Sequence, residues 1–338
     1  MPSGTQAQIT GTATSAVNQI PMTWGSLNLV GKLVYPVAIV HNNGLLINVQ
    51  ELDLGTGIVN TIFQTPEGGW IDGLAVSPDA KQLIISYLPP AAATSTPSPS
   101  YGAQEALYSM PMNGSQPPQM LFPAPTKDDQ YFEPAWSPDG KYLYFVHIDY
   151  QSPTIYSIMR MAYPNGALED LVDDAYWPRV SNDGSRLTYV SLTTSANTLF
   201  VADADGNNAQ QIRLTGSSIP TIIDAPMFLG DDQSILFSAP IFSQSSGPNW
   251  ADKLFGITVA SADGTIPSDW WSVPLAGGTP KRLTQVQSLA LYATFSPDKK
   301  YIASYSADGI FVMNPDGSGV TQIVNYTGGI TGAISWIP

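Results

Sequence analysis

The sequence predicts an all-β fold: a six-bladed β-propeller of four-stranded antiparallel blades, closed by a C-terminal strand that joins the N-terminal blade. Three observations predict it. A Ser-Pro-Asp-Gly-like turn followed by an apolar strand recurs along the chain, a second Gly-containing turn follows each full copy, and the last copy stops where the first blade lacks its opening strand. Composition agrees. Apolar residues are 43% of the 338 and charged ones only 12%, about half the usual share, with 29 Gly and 29 Pro, the profile of many short strands joined by turns.

The five full copies align without a gap: Ala75 to Tyr87, Ala135 to His147, Arg179 to Ser191, Met227 to Ala239 and Thr294 to Ser306. Ser77, Ser137, Ser181, Leu229 and Ser296 anchor them, and Ser335 anchors a truncated sixth copy, Ala333 to Pro338. Pro after the anchor presets φ and Asp suits the next position, so each anchor opens a tight reversal. The second strand then starts at Leu83, Leu143, Leu187, Ile235 and Ile302.

A second reversal follows at Asn113-Gly114, Asn165-Gly166, Asp205-Gly206, Gly277-Gly278 and Asp316-Gly317. It lies between an apolar third strand, such as Ala106 to Met110, Thr154 to Ile158, Thr198 to Ala202 or Gly309 to Met313, and a fourth such as Gln210 to Leu214. Successive anchors lie 60, 44, 48, 67 and 39 residues apart, enough for four strands each. The N-terminal region offers three strands, Lys32 to Val40, Leu45 to Leu54 and Ile58 to Gln64, and the C-terminal copy supplies the missing first one. Pairing the two ends buries sheet edges that would otherwise be open. Residues 1–25 are expected to be a disordered linker and residues 26–338 a single propeller.

These copies resemble the WD40-like (PD40), or TolB-type, propeller repeat of bacterial envelope proteins, over roughly residues 30–338. The resemblance implies the fold and an extracytoplasmic setting, periplasmic, cell-surface or secreted. It does not imply one function, because the repeat occurs in scaffolds, in propeller domains of peptidases and in some lyases. The helical domain that precedes the propeller in the family's namesake has no counterpart here.

Strand alternation assigns faces around the anchor. Val76, Trp136, Val180, Phe228, Phe295 and Ile334, one residue before it, are all apolar and should pack between blades. Two before it, Ala75, Ala135, Met227, Thr294 and Ala333 suit a crowded channel wall, with Arg179 the one charge. Four and five before it, Asp72, Glu133, Tyr176, Trp177, Asp224, Tyr292 and Thr331 should ring one mouth of that channel. Carboxylates and aromatics converging on a cavity make the candidate ligand site, with Arg179 just inside.

Two insertions break the repeat. Pro89 to Ser100 is rich in Pro, Ser, Thr and Ala and reads as a surface spacer. Ile241 to Pro267 carries Phe242, Trp250 and Phe255, which makes it a second candidate for ligand contact.

Catalytic chemistry has little material. There is no cysteine, only His41 and His147, and none of the Gly-x-Ser-x-Gly, Walker or His-Glu-x-x-His motifs. His147 ends a second strand and reads as structural. No residue is assigned to a metal or cofactor, although Asp72, Glu133 and Asp224 offer hard oxygens of the kind Ca²⁺ takes. Asp203 to Asn207 looks like the start of a calcium loop, but Leu214 stands where its closing Glu should be, so it reads as a hairpin.

A net charge of −14 disfavours nucleic acid, and no stretch of the sequence is apolar enough to span a membrane. The residues favour a monomeric binding or scaffold propeller that recognises a protein, peptide or glycan at the mouth. The alternatives are a propeller hydrolase or lyase that uses the carboxylate ring, with or without Ca²⁺, and the regulatory propeller of a larger peptidase-like protein.

Overall fold

The computed structural model describes residues 18–22, 24–41, 44–90, 105–122, 128–193, 197–216, 219–240, 266–325 and 332–338. They form six small antiparallel sheets arranged as a six-bladed propeller. Blade 1 takes its inner strand from the C-terminus, Ser335–Ile337, and continues outward through Lys32–His41, Gly44–Asp53 and Ile58–Gln64. The register of closure is Lys32 to Ile337, Leu33 to Trp336 and Val34 to Ser335. Blades 2 to 6 open with the inner strands Trp70–Val76, Asp129–Trp136, Ala175–Val180, Asp224–Phe228 and Tyr292–Phe295. Each adds three strands outward in chain order.

Several boundaries differ from the sequence reading; the fourth strand of blade 4, expected over Gln210 to Leu214, is only Gln210–Gln211. Blade 1 has a fifth strand, Asn18–Gln19, paired with Val59 and Ile58 in a stretch assigned to the linker. Nearby, Trp24 is buried and its indole N–H donates to the Leu54 carbonyl at 2.9 Å, so hydrogen bonding and apolar burial hold this segment on the blade. The third strand of blade 3 runs Tyr156–Ala162, beyond the expected end at Ile158, because its apolar alternation continues through Met159 and Met161.

The anchor turns owe their uniformity to one hydroxyl. The Oγ of Ser77, Ser137, Ser181 and Ser296 donates to the Asp two residues on, at 2.6 to 2.8 Å. The same oxygen accepts the N–H that starts the second strand, at 2.9 Å in each case. Three residues after the anchor the backbone is left-handed in all five full turns, φ being 57° at Ala80, 70° at Gly140, 77° at Gly184, 54° at Asp232 and 62° at Lys299.

Leu229 cannot play the serine's part. In that blade Asp232 is buried and reaches the preceding blade, accepting from the backbone N–H and side-chain amide of Asn182 at 2.9 and 2.7 Å and from the Asp183 N–H at 3.1 Å. The other turn in question, Asp203 to Asn207, is a hairpin turn with Gly206 at φ 83°.

Apolar side chains meet between neighbouring blades. One cluster joins blades 1 and 2, another blades 2 and 3, a third blades 3 and 4, and the largest continues through blades 4, 5, 6 and 1. The residues just before the anchors sit in these seams, from Val76 and Phe228 to Ile334. Polar bonds run the same way. The Trp136 indole donates to the Ala75 carbonyl at 3.3 Å, the Tyr144 hydroxyl to Ala204 at 2.8 Å, and the Trp270 indole to Ser304 at 2.8 Å.

Candidate ligand site at the channel mouth

The inner strands of blades 2 to 5 share one irregularity. Their pairing slips at Asp72, at Glu133–Pro134, at Trp177–Pro178 and at Ala225–Pro226, three to five residues before each anchor. Glu133, Trp177 and Ala225 adopt left-handed backbone, with φ of 48°, 63° and 45°, and each precedes a proline. Non-glycine residues held there cost about 1 to 3 kcal/mol each, and such strain gathers where side chains must be aimed at a site. The prolines were a signal available in the sequence, since Pro inside an inner strand marks a bulge.

The bulges bring the expected residues together from five blades. The Arg179 guanidinium donates to Glu133 Oε2 at 3.3 Å and to the Pro178 carbonyl at 2.8 Å. An aromatic row runs from Tyr156 to Tyr176, Trp177 and Tyr292, with ring centroids 5.9, 5.2 and 5.7 Å apart. Burial first, and then the charges of Glu133, Asp72 and Asp224, raise the Tyr292 hydroxyl, with Arg179 opposing them. The Asp72 carboxylate accepts a hydrogen bond from the Trp70 indole.

Glu133, Trp177, Asp224 and Tyr292 are buried, while Asp72, Tyr176 and Arg179 are half-buried. In blades 2 to 5 the extra residue of each bulge breaks the alternation, whereas Tyr292 lies on a regularly paired strand. Thr331, and the insertion residues Phe242, Trp250 and Phe255, lie outside the described residues.

One member was missed. Glu105 stands just before the third strand of blade 2, Ala106–Pro111, and is 4% exposed. Burial first, then the Asp72 carboxylate and a hydrogen bond with its side chain, push the Glu105 carboxyl well above the usual carboxylate range, against a backbone hydrogen bond from Asp72. Glu105 Oε1 has no hydrogen-bond partner, and the same holds for the fully buried Ser86 Oγ.

Burial likewise raises Glu133 to about 7, with Arg179 opposing the rise and Asp72 adding to it. Burial and the same acids push the hydroxyls of Tyr176 and Tyr292 well above the usual phenol range, so both remain protonated donors. The mouth thus holds four carboxyl groups, two phenols and one guanidinium. Among the described residues no three His, Cys, Asp or Glu side chains are grouped to hold a metal ion.

Away from the mouth, His147 Nε2 lies 2.7 Å from Asp129 Oδ1 and its ring stacks on Tyr131. That is the structural role expected of it. No helix among the described residues is long and apolar enough to cross a membrane.

No protein-family model and no curated protein matches the sequence. Solved structures do. The chain is similar to TolB from Acinetobacter baumannii at 16% identity and a TM-score of 0.64, covering 91% of this chain and 67% of that one. It is similar to a putative TolB from Agrobacterium tumefaciens at 18% identity and 0.55, over 83% and 94% of the two chains. An oligogalacturonate lyase in complex with manganese matches at 11% identity and 0.51, over 88% and 86%. The likeness is one of fold: the chain is a propeller of TolB-type architecture, as its repeats predict.

Proposed function

We propose that this chain is a non-enzymatic, extracytoplasmic binding propeller whose channel mouth takes a cationic group of a protein or peptide partner. The observation that carries the reading is that the mouth sets four carboxyl groups, Asp72, Glu105, Glu133 and Asp224, against one guanidinium, Arg179, which pairs with Glu133, in a protein of net charge −14. Carboxylates drawn together behind a low-dielectric wall focus the field and favour an incoming cation. Rigid inner strands and strained bulges hold them in place, so little ordering is needed on binding. The TolB-like fold supports a binding role and an envelope setting without naming a partner.

Calorimetric titration tests it. Tetralysine and tetraarginine should bind, more weakly as salt is raised, while tetraglutamate and neutral oligosaccharides should not. Asp224→Asn should weaken the cation at least several-fold. Preference for the anionic peptide, or no binding of any cation, would overturn the proposal.

A second reading has one observation in its favour. Burial raises Glu133 to about 7 and pushes the Glu105 carboxyl well above its ordinary range, the kind of separation by which acid and base roles are divided between carboxyls. Turnover of an oligouronide panel that is lost in Glu133→Gln would make this propeller an enzyme instead.

A further inference from the structure

The outer edges of the blades are unequal in length and in what covers them. Blades 2, 4 and 5 end in strands of two residues, Gln119–Met120, Gln210–Gln211 and Lys281–Arg282, too short to template another chain. Blade 6 ends in Thr321–Asn325, which carries no charge. Blade 1 ends in Ile58–Gln64, and there the edge is already used, for Asn18 and Gln19 pair with Val59 and Ile58 and the Ile20 N–H donates to the Gly57 carbonyl at 3.0 Å. The two backbones come close. A side-chain carbon on Gly57 would meet the Ile20 carbonyl at 2.8 Å.

Blade 3 repeats this edge and leaves it open. Its outer strand is Leu168–Asp173, and the pairing with the third strand slips at Leu171 as that of blade 1 slips at Ile62. Aligned on this extra residue, Leu168 stands where Val59 receives Asn18, and Gly166 stands where Gly57 permits the close approach. In both blades the next blade steadies the slip, since side-chain carbons on Gly114 and Gly206 would meet the carbonyls of Ile62 and Leu171 at 2.7 and 2.8 Å. Yet no strand among the described residues pairs with the outer side of Leu168–Asp173, and Leu168 is 39% exposed. Such an edge is a row of unpaired N–H and C=O groups, the template on which an extended peptide adds a strand.

Charge decides which peptide. The strand carries Glu169, Asp170 and Asp173, all exposed, and no basic residue. Arg160 of the third strand donates to Glu169 at 2.9 Å, but Asp170 lies opposite Met159 and Asp173 opposite Ser157. Glu169 and Asp170 are consecutive, so acids stand on both faces of the sheet. A second copy of this chain laid along the edge would set acid against acid, which is destabilising, whereas a basic strand gains on either face. We propose that this edge takes an extended basic segment of a partner protein as a fifth strand of blade 3, paired at Leu168 as Asn18 is paired at Val59. The backbone supplies the grip and the acids supply the selection. The surface lies on an outer strand, away from the inner strands of the mouth, and does not rest on the reading given for the mouth.

The full chain is titrated calorimetrically with an end-blocked Lys-Val-Lys-Val-Lys-Val peptide, and the amides it covers are located by hydrogen exchange. The peptide should bind at least about tenfold more tightly than Glu-Val-Glu-Val-Glu-Val and should protect amides of the Leu168–Asp173 strand. Methylating the peptide's backbone nitrogens should abolish that protection, because the edge then receives no N–H. Asp170→Lys combined with Asp173→Lys changes two exposed side chains and should leave the fold intact, weaken the Lys-Val peptide about tenfold and admit the Glu-Val one. Protection confined to the mouth overturns the edge and leaves the cationic mouth standing, and protection at Thr321–Asn325 instead overturns it too. A methylated peptide that binds as well as its parent reduces the contact to charge and overturns strand addition. Failure of every peptide to bind overturns the proposal outright.

Discussion

Glu133 carries two burdens at once: a left-handed backbone and a carboxyl held 5% exposed beside other acids. The second has a measurable sign. A carboxyl raised from 4.5 to about 7 on folding binds its proton more tightly in the folded state, so its contribution is fully present below pH 4.5 and is lost as pH rises through about 7. The loss amounts to about 3 kcal/mol at most. Glu105 acts in the same direction. Thermal unfolding of Glu133→Gln should therefore show a shallower decline between pH 5 and 8 than the unaltered protein, with a higher midpoint at pH 8. An identical pH profile would show that Glu133 is solvated in the folded protein.

Most of the site was legible because six anchors in register pointed the same strand positions of every blade at one place. Glu105 was not legible. It stands outside the inner strands, just after one of the two insertions that break the repeat, where the anchor alignment assigns no position. The trace it left was a charge placed directly before an apolar strand in a chain with few charges.

The turns extend the argument to the element. Ser137 is 6% exposed, and its hydroxyl both donates to Asp139 and receives the Tyr142 N–H. Ser137→Ala takes one of its donors from that acid, which keeps the Lys141 N–H, and leaves the Tyr142 N–H without its side-chain acceptor, and should cost about 1 to 2 kcal/mol in urea unfolding. Asp139→Ala should cost less, because the Ser137 oxygen still accepts the strand N–H. If the order reverses, the carboxylate organises the turn. Strand existence was readable throughout, since tight turns and alternating apolar residues are local signals. The edge strand Asn18–Gln19 was not, because two polar residues carry no period and are held by what they lie against.

At the scale of the whole molecule, the ring is sealed where Gly332 passes blade 2. Its φ is 129°, and a side-chain carbon there would overlap the Asp72 carbonyl at 1.9 Å. Gly332→Ala should force the closing strand away and lower stability by about 3 kcal/mol or more. Deleting residues 335–338 should go further, exposing the edge Lys32–Val34 and producing aggregation on light scattering. A soluble, cooperatively folded deletion would show that blade 1 stands without its inner strand. This seal also meets the site, for the carbonyl that Gly332 avoids belongs to a residue of the mouth.

The composite first blade also fixes an order in time. The Trp336 indole donates to the Val30 carbonyl across 306 residues of sequence, so the first blade's outer strands wait for the other five blades to be made before their sheet is complete. Blades 2 to 6 are each continuous in sequence and can form during synthesis, whereas blade 1 cannot. Until then its innermost edge stays open, and a chaperone that masks exposed strands has the synthesis of five blades in which to act there.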